Sequence, residues 1–178
     1  MKIINLLGGP SSGKSTTAAG LFYKMKLAKY KVELVTEYAK SLVYSERGNM
    51  FCQQDYIFAK QHHMLYRLKD KVDWLITDSP LILSIIYAGY NWRDKNIEKY
   101  FNFSEFVHSV NDEYDNYYFF LNRVKEYQKY GRNESEEEAR KIDKEIIDLL
   151  DDAMYNYHVF DGDETAINRI VDKLNIKI

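Results

Sequence analysis

Short unbroken apolar runs alternate along this chain with longer stretches whose apolar residues recur every three or four positions. The runs are KIINLL (2–7), KVELV (31–35), VDWLIT (72–77), NYYFFL (116–121) and YHVF (157–160). Short continuous runs, without polar alternation, predict strands covered on both faces. Helical spacing runs from Ser15 to about Lys29, through Ala18, Ala19, Phe22, Met25 and Leu27. It returns from about Gln53 to Asp70, through Tyr56, Ile57, Met64 and Leu68. A looser helical region spans 81–110, and a final helix is predicted over 163–174. ESEEEARKIDKEIIDLL predicts a helix with Ala139, Ile142, Ile146, Leu149 and Leu150 on its apolar face. Ser135 and Glu138 have capping-box spacing at its start. Glu137, Lys141 and Glu145 follow at i,i+4.

Strands separated by helices imply right-handed crossovers and a parallel sheet, an α/β sandwich of three layers. Ligands of such sheets sit at the carboxyl ends of the strands. The informative residues are therefore those that follow each strand.

After the first strand, Gly8-Gly9-Pro10-Ser11-Ser12-Gly13-Lys14-Ser15 fits the P-loop pattern, with Thr16 next in the helix. Glycines let phosphate oxygens approach the backbone. Successive N–H groups and the helix N-terminus then bind the anion. Gly8, Gly9, Ser11, Ser12, Gly13, Lys14, Ser15 and Thr16 are the expected nucleotide contacts. In this reading Lys14 is reserved for the β- and γ-phosphates of ATP and the Ser15 hydroxyl for Mg²⁺.

After the second strand comes Glu37, either the base for an acceptor hydroxyl or a solvated loop carboxylate. After the third comes Asp78, in the position of a carboxylate that holds Mg²⁺. After the fourth, Arg123 and Arg132 bracket a segment, about 123–135, expected to act as a lid over the migrating phosphate. The alternative pairs these arginines with nearby glutamates. After the fifth, Asp161-Gly162-Asp163 is expected near the adenine. His62 and His63 are adjacent on a helix and point apart, which argues against a metal pair.

The 178 residues suit one domain, and their near-balanced charge of −2 lacks the general pull of a nucleic-acid binder. Cys52 is alone, so no intramolecular disulfide forms, and a reducing cytoplasm is expected. No run approaches membrane-spanning length, and the start reads as a strand rather than a signal peptide. The 16 tyrosines read first as packing and interface residues, compatible with a homodimer.

GGPSSGKST, TEYAK, TDSP and the segment R…YGRNESEEEARKID together resemble the NadR-like P-loop kinase family over nearly the whole chain. That group includes nicotinamide riboside kinase domains and many phage-encoded proteins labelled AAA-type ATPases. The lid is similar to that of deoxynucleoside and thymidylate kinases. The resemblance implies a P-loop NTPase fold with a five-stranded parallel sheet in order 2-3-1-4-5. It implies that Glu37 activates the acceptor hydroxyl, that Asp78 is the Mg²⁺-linked acid, and that Arg123 and Arg132 contact nucleotide phosphates.

Three functions compete. The first is an ATP- and Mg-dependent kinase acting on a hydroxyl of a nucleoside or nucleotide. Its acceptor pocket is expected beside the 53–66 helix, with Gln53 or Gln54 on a base edge and Phe51, Tyr38, Tyr56 or Trp92 stacking, unless these are core. The second moves the same chemistry to a hydroxymethylated base or an end in DNA, tracked by Arg93, Lys95 and the Lys24–Lys31 cluster. The third is a regulatory P-loop ATPase, for which an acceptor base has no use.

Overall fold

The computed structural model describes residues 1–127 and 135–178. Five strands form one sheet: β1 (Lys2–Leu7), β2 (Val32–Val35), β3 (Trp74–Thr77), β4 (Asp115–Asn122) and β5 (Tyr157–Asp161). Every pairing is parallel and the order is β2-β3-β1-β4-β5. Helices α1 (Lys14–Leu27) and α7 (Ala166–Lys173) pack on one face. Helices α3 (Gln54–Tyr66), α4 (Leu83–Trp92), α5 (Ile97–Asn111) and α6 (Glu136–Asp152) cover the other.

The side-chain alternation of β1 explains the two layers. Ile4 and Leu6 join Ala18, Leu21 and Met25 of α1. Ile3 meets Phe58 of α3 and Ile85 of α4, and Leu7 meets Ile142 and Ile146 of α6. Asn5 is buried but satisfied, its Nδ2 donating to Asn116 Oδ1 at 2.9 Å. On α1, Leu21 replaces Ala19 and Leu27 on the buried stripe, and Leu27 is exposed.

Two elements differ from the sequence reading. A short helix, α2 (Tyr38–Tyr44), follows β2; it spans only two turns and buries Leu42 alone, too little to register as periodicity. The 81–110 region is two helices, because the chain turns at 93–96 and Asn96 caps α5 by accepting from Lys99 N. Ahead of α6 the Ser135–Glu138 capping box is fully formed. Lys141 pairs with Glu145, and Arg140 with Glu136.

Candidate active site

Strand order places the chemistry. Val35 of β2 lies level with Thr77 of β3, and Thr77 with Asn5 of β1. Glu37, Asp78 and Gly8 follow these three neighbouring strands, so all emerge at one edge of the sheet. They line a single cavity of about 610 Å³.

One end of that cavity is the phosphate loop, Gly8 together with Pro10 through Thr16. Gly13 caps α1 in the left-handed region, φ 94°, and a Cβ there would meet Gly162 O at 2.6 Å. Gly162 therefore packs on the loop backbone, while its neighbour Asp161 accepts from Asn122 Nδ2 at 3.2 Å. Neither Asp161 nor Gly162 lines the cavity. Lys14 Nζ donates to Gly8 O at 2.6 Å and Gly9 O at 2.8 Å, so the ammonium expected to be reserved for phosphate is held by the loop's own carbonyls. Ser15 and Thr16 are exposed on the first turn of α1 and face the cavity; Ser12 is buried.

Asp78 is only 6% exposed, and its Oδ1 is buried without a hydrogen-bond partner among the described residues. A buried carboxylate oxygen left unsatisfied is costly unless a cation completes it. Magnesium prefers oxygen donors and keeps water and phosphate oxygens as further ligands. Asp78 with the Ser15 hydroxyl fits that donor set, and both line the cavity.

Glu37 is the residue before α2, in extended conformation, and it lines the cavity. Its position is fixed by Gln61, a buried side chain on α3. Gln61 Oε1 accepts from Tyr38 N at 2.9 Å and Nε2 donates to Thr36 O at 3.3 Å. One amide thus clamps the backbone on both sides of Glu37.

The cavity is also lined by Phe51, Gln54 and Ile57 with Tyr87, Tyr90 and Asn91 of α4. Tyr38 and Tyr56, expected as stacking residues, instead hold each other by their hydroxyls at 3.0 Å, which raises the Tyr38 phenol. Trp92 is core, edge-on to Phe103 at 5.1 Å, and Gln53 is exposed away from the cavity. Tyr90 donates to Glu145 Oε2 at 2.5 Å; burial and that carboxylate push its phenol far above the ordinary tyrosine range.

Arg123 does not line the cavity. Its side chain is folded onto the loop, Nε donating to Pro10 O at 3.0 Å and Nη2 lying 2.8 Å from Asp143 Oδ2. Among the described residues its ion-pair partner is Asp143, an aspartate of α6. Arg132 and most of the expected lid lie outside the described residues. Gln61 and Asp143 had a signal in the sequence: each sits on or beside the apolar stripe of its helix, where a polar residue needs a reason. Tyr87 and Asn91 had none, because the 81–110 region shows no clear period.

A family model described as AAA domain matches residues 3–166. No curated protein matches. Among solved structures, deoxyadenosine kinase from M. mycoides with bound dATP superposes with TM-score 0.67 at 22% identity, covering 98% of this chain and 100% of that one. The same kinase with dCMP and dCDP bound gives 0.63 at 21%, covering 98% and 99%. NadR protein in complex with NAD and AMP-PNP gives 0.72 at 14%, covering 99% of this chain and 50% of that one. These likenesses show that the chain shares the fold of those proteins. With a parallel sheet, a glycine loop at the head of α1 and a family match over most of its length, the chain belongs to the AAA domain family.

Proposed function

We propose that this chain is a kinase that transfers the γ-phosphate of Mg·ATP to a hydroxyl of a nucleoside or nucleotide. The observation that carries it is a single cavity lined by the phosphate loop, by a mixed set of aromatic and amide side chains, and by Glu37 and Asp78. The neighbours that share the fold are a deoxyadenosine kinase seen with dATP and a NadR protein seen with NAD and AMP-PNP, which supports nucleotide chemistry at this edge of the sheet.

The amides of Ser12 through Ser15 and the Lys14 ammonium bind the triphosphate; Lys14 exchanges the Gly8 and Gly9 carbonyls for phosphate oxygens. Asp78 and the Ser15 hydroxyl would hold Mg²⁺, which would offset negative charge on the triphosphate. Glu37 takes the proton of the acceptor hydroxyl as the new O–P bond forms and the bond to the β-bridging oxygen breaks, releasing ADP. Arg123 supports the loop from its backbone side.

None of the cations named for the DNA reading, Arg93, Lys95 and the Lys24–Lys31 cluster, lines the cavity. Lys24 and Lys26 lie in the last turn of α1, held by Asn168 and Glu33, and Arg93 by the Tyr100 hydroxyl. The test is transfer of labelled γ-phosphate to nucleosides, nucleoside monophosphates, nicotinamide riboside and hydroxymethylated DNA. Label on a free nucleoside or nucleotide is the expected result. Label on DNA alone, or ATP hydrolysis indifferent to every acceptor, rejects the proposal.

A further inference from the structure

Gly162 stands where the last strand meets the phosphate loop. It follows β5, and its N–H donates to Asn122 O at the end of β4 at 2.9 Å. Its φ lies outside the left-handed region, so no backbone angle requires glycine there. The requirement comes from space instead. A Cβ built on Gly162 would fall inside the carbonyl oxygen of Ser12, 2.9 Å from Asn122 O and 3.0 Å from Ser12 C. All of these are backbone atoms, which cannot swing aside as the end of a side chain can.

The same contacts orient the loop. Ser12 O is nearer to that Cβ position than Ser12 C by almost a full C=O bond length, about 1.2 Å. The Ser12 carbonyl therefore points at Gly162. The Ser12–Gly13 peptide is trans and planar, so the Gly13 N–H points the opposite way. Ser12 and Gly13 line the cavity and Gly162 does not, so the side away from Gly162 is the cavity side.

Resting on the triphosphate-binding part of the reading above, we propose that Gly162 is a positioning residue for the phosphate loop. Its bare backbone lets the Ser12 carbonyl turn inward, and the Gly13 N–H is thereby aimed at a phosphate oxygen. A side chain at 162 displaces or rotates the Ser12–Gly13 peptide, and the anion loses a backbone donor. Gly162 acts on the nucleotide through the loop, from outside the cavity.

The experiment is calorimetric titration of ATP, and of inorganic tripolyphosphate, into the full chain, Gly162→Ala and Ile167→Ala. Ile167 of α7 packs where a Cβ on Gly20 of α1 would fall, so its truncation loosens the same C-terminal unit away from the loop. Gly162→Ala is expected to bind both ligands about tenfold or more weakly, the loss of one hydrogen bond to a charged group. Ile167→Ala should melt at lower temperature with affinity unchanged. In the amide NMR spectrum of the unsubstituted chain, tripolyphosphate should move the Gly13 N–H downfield; should Gly162→Ala not fold, this spectrum decides alone. Unchanged affinity in Gly162→Ala, an equal loss in Ile167→Ala, an unmoved Gly13 amide, or an unsubstituted chain that binds neither ligand overturns the proposal. Phosphate transfer is assayed separately. A chain that binds triphosphate through Gly13 and depends on Gly162, yet phosphorylates no acceptor, upholds this role and sinks the kinase reading instead.

Discussion

Arg123 and Asp143 form an ion pair at 2.8 Å that grips the phosphate loop through its backbone. The Arg123 side chain is 3% exposed, and its Nε holds Pro10 O. Asp143 Oδ1 accepts from Gly9 N at 2.5 Å. Two successive loop residues, one through a donor and one through an acceptor, are thus tied to the same pair. Gly9 permits this approach: a Cβ there would lie 2.5 Å from Ala139 O and 2.8 Å from Asp143 Oδ1. The Nη2 contact is an ion pair by distance without hydrogen-bond alignment, and Nη1 has no hydrogen-bond partner among the described residues.

Removing the carboxylate strands a buried guanidinium, so Asp143→Ala is expected to cost about 3–5 kcal/mol of stability. ATP affinity should fall with it, because the loop loses an anchor at Gly9. Asp143→Asn keeps an acceptor for the Gly9 amide and should cost less on both counts. Denaturant unfolding and ATP titration of the two variants check this; an Asp143→Ala chain of unchanged stability contradicts the grip.

Glu37→Gln preserves shape and removes the proposed base. Turnover is expected to drop about 10²–10⁴-fold with ATP binding kept. Full turnover in this variant removes Glu37 from the proton transfer.

Gln61→Leu removes both bonds that flank Glu37 and leaves the Tyr38 amide and Thr36 carbonyl without them. About 1–3 kcal/mol of stability should be lost. Because Gln61 acts through Glu37, kcat should fall by more than KM for ATP rises. An unchanged kcat in a destabilised chain would mark Gln61 as a structural residue only.

On the proposed reading the Lys14 ammonium is the point charge for the terminal phosphates, so Lys14→Ala should abolish measurable ATP binding. Isothermal titration decides; retained affinity would mean the triphosphate is held elsewhere.

The pH dependence of stability should show a plateau. Burial lowers His62, His108 and His158 below their ordinary value of 6.5. The unfolded chain then takes up protons first as pH falls, so stability decreases below about 6.5. Burial also raises Tyr114, Tyr118 and Tyr155 above 10.0, Tyr155 to about 12 with help from Asp112. The unfolded chain then loses protons first above 10.0, and stability decreases again. Melting temperatures measured from about pH 5 to 11 test both flanks; a rise on the acid side contradicts the histidine assignment.

The sequence by itself determined the sheet and the position of the glycine loop between β1 and α1. Five short, largely apolar runs separated by helical stretches imply a parallel α/β layer, and the glycine loop falls between its first strand and first helix. Glu37 and Asp78 were legible for the same reason, as each lies just past a strand end, where local order alone fixes its edge of the sheet. Tertiary structure decided the rest. Arg123 reads as a lid residue in one dimension, yet folding brings Asp143, twenty residues on, to its guanidinium and holds it on Pro10. Tyr38, Tyr56 and Trp92 are as aromatic as any stacking residue, but packing turns them to each other or to the core. Gln61 draws its role from the backbone amide and carbonyl it meets across the fold, contacts that depend on how helices dock rather than on any spacing along the chain.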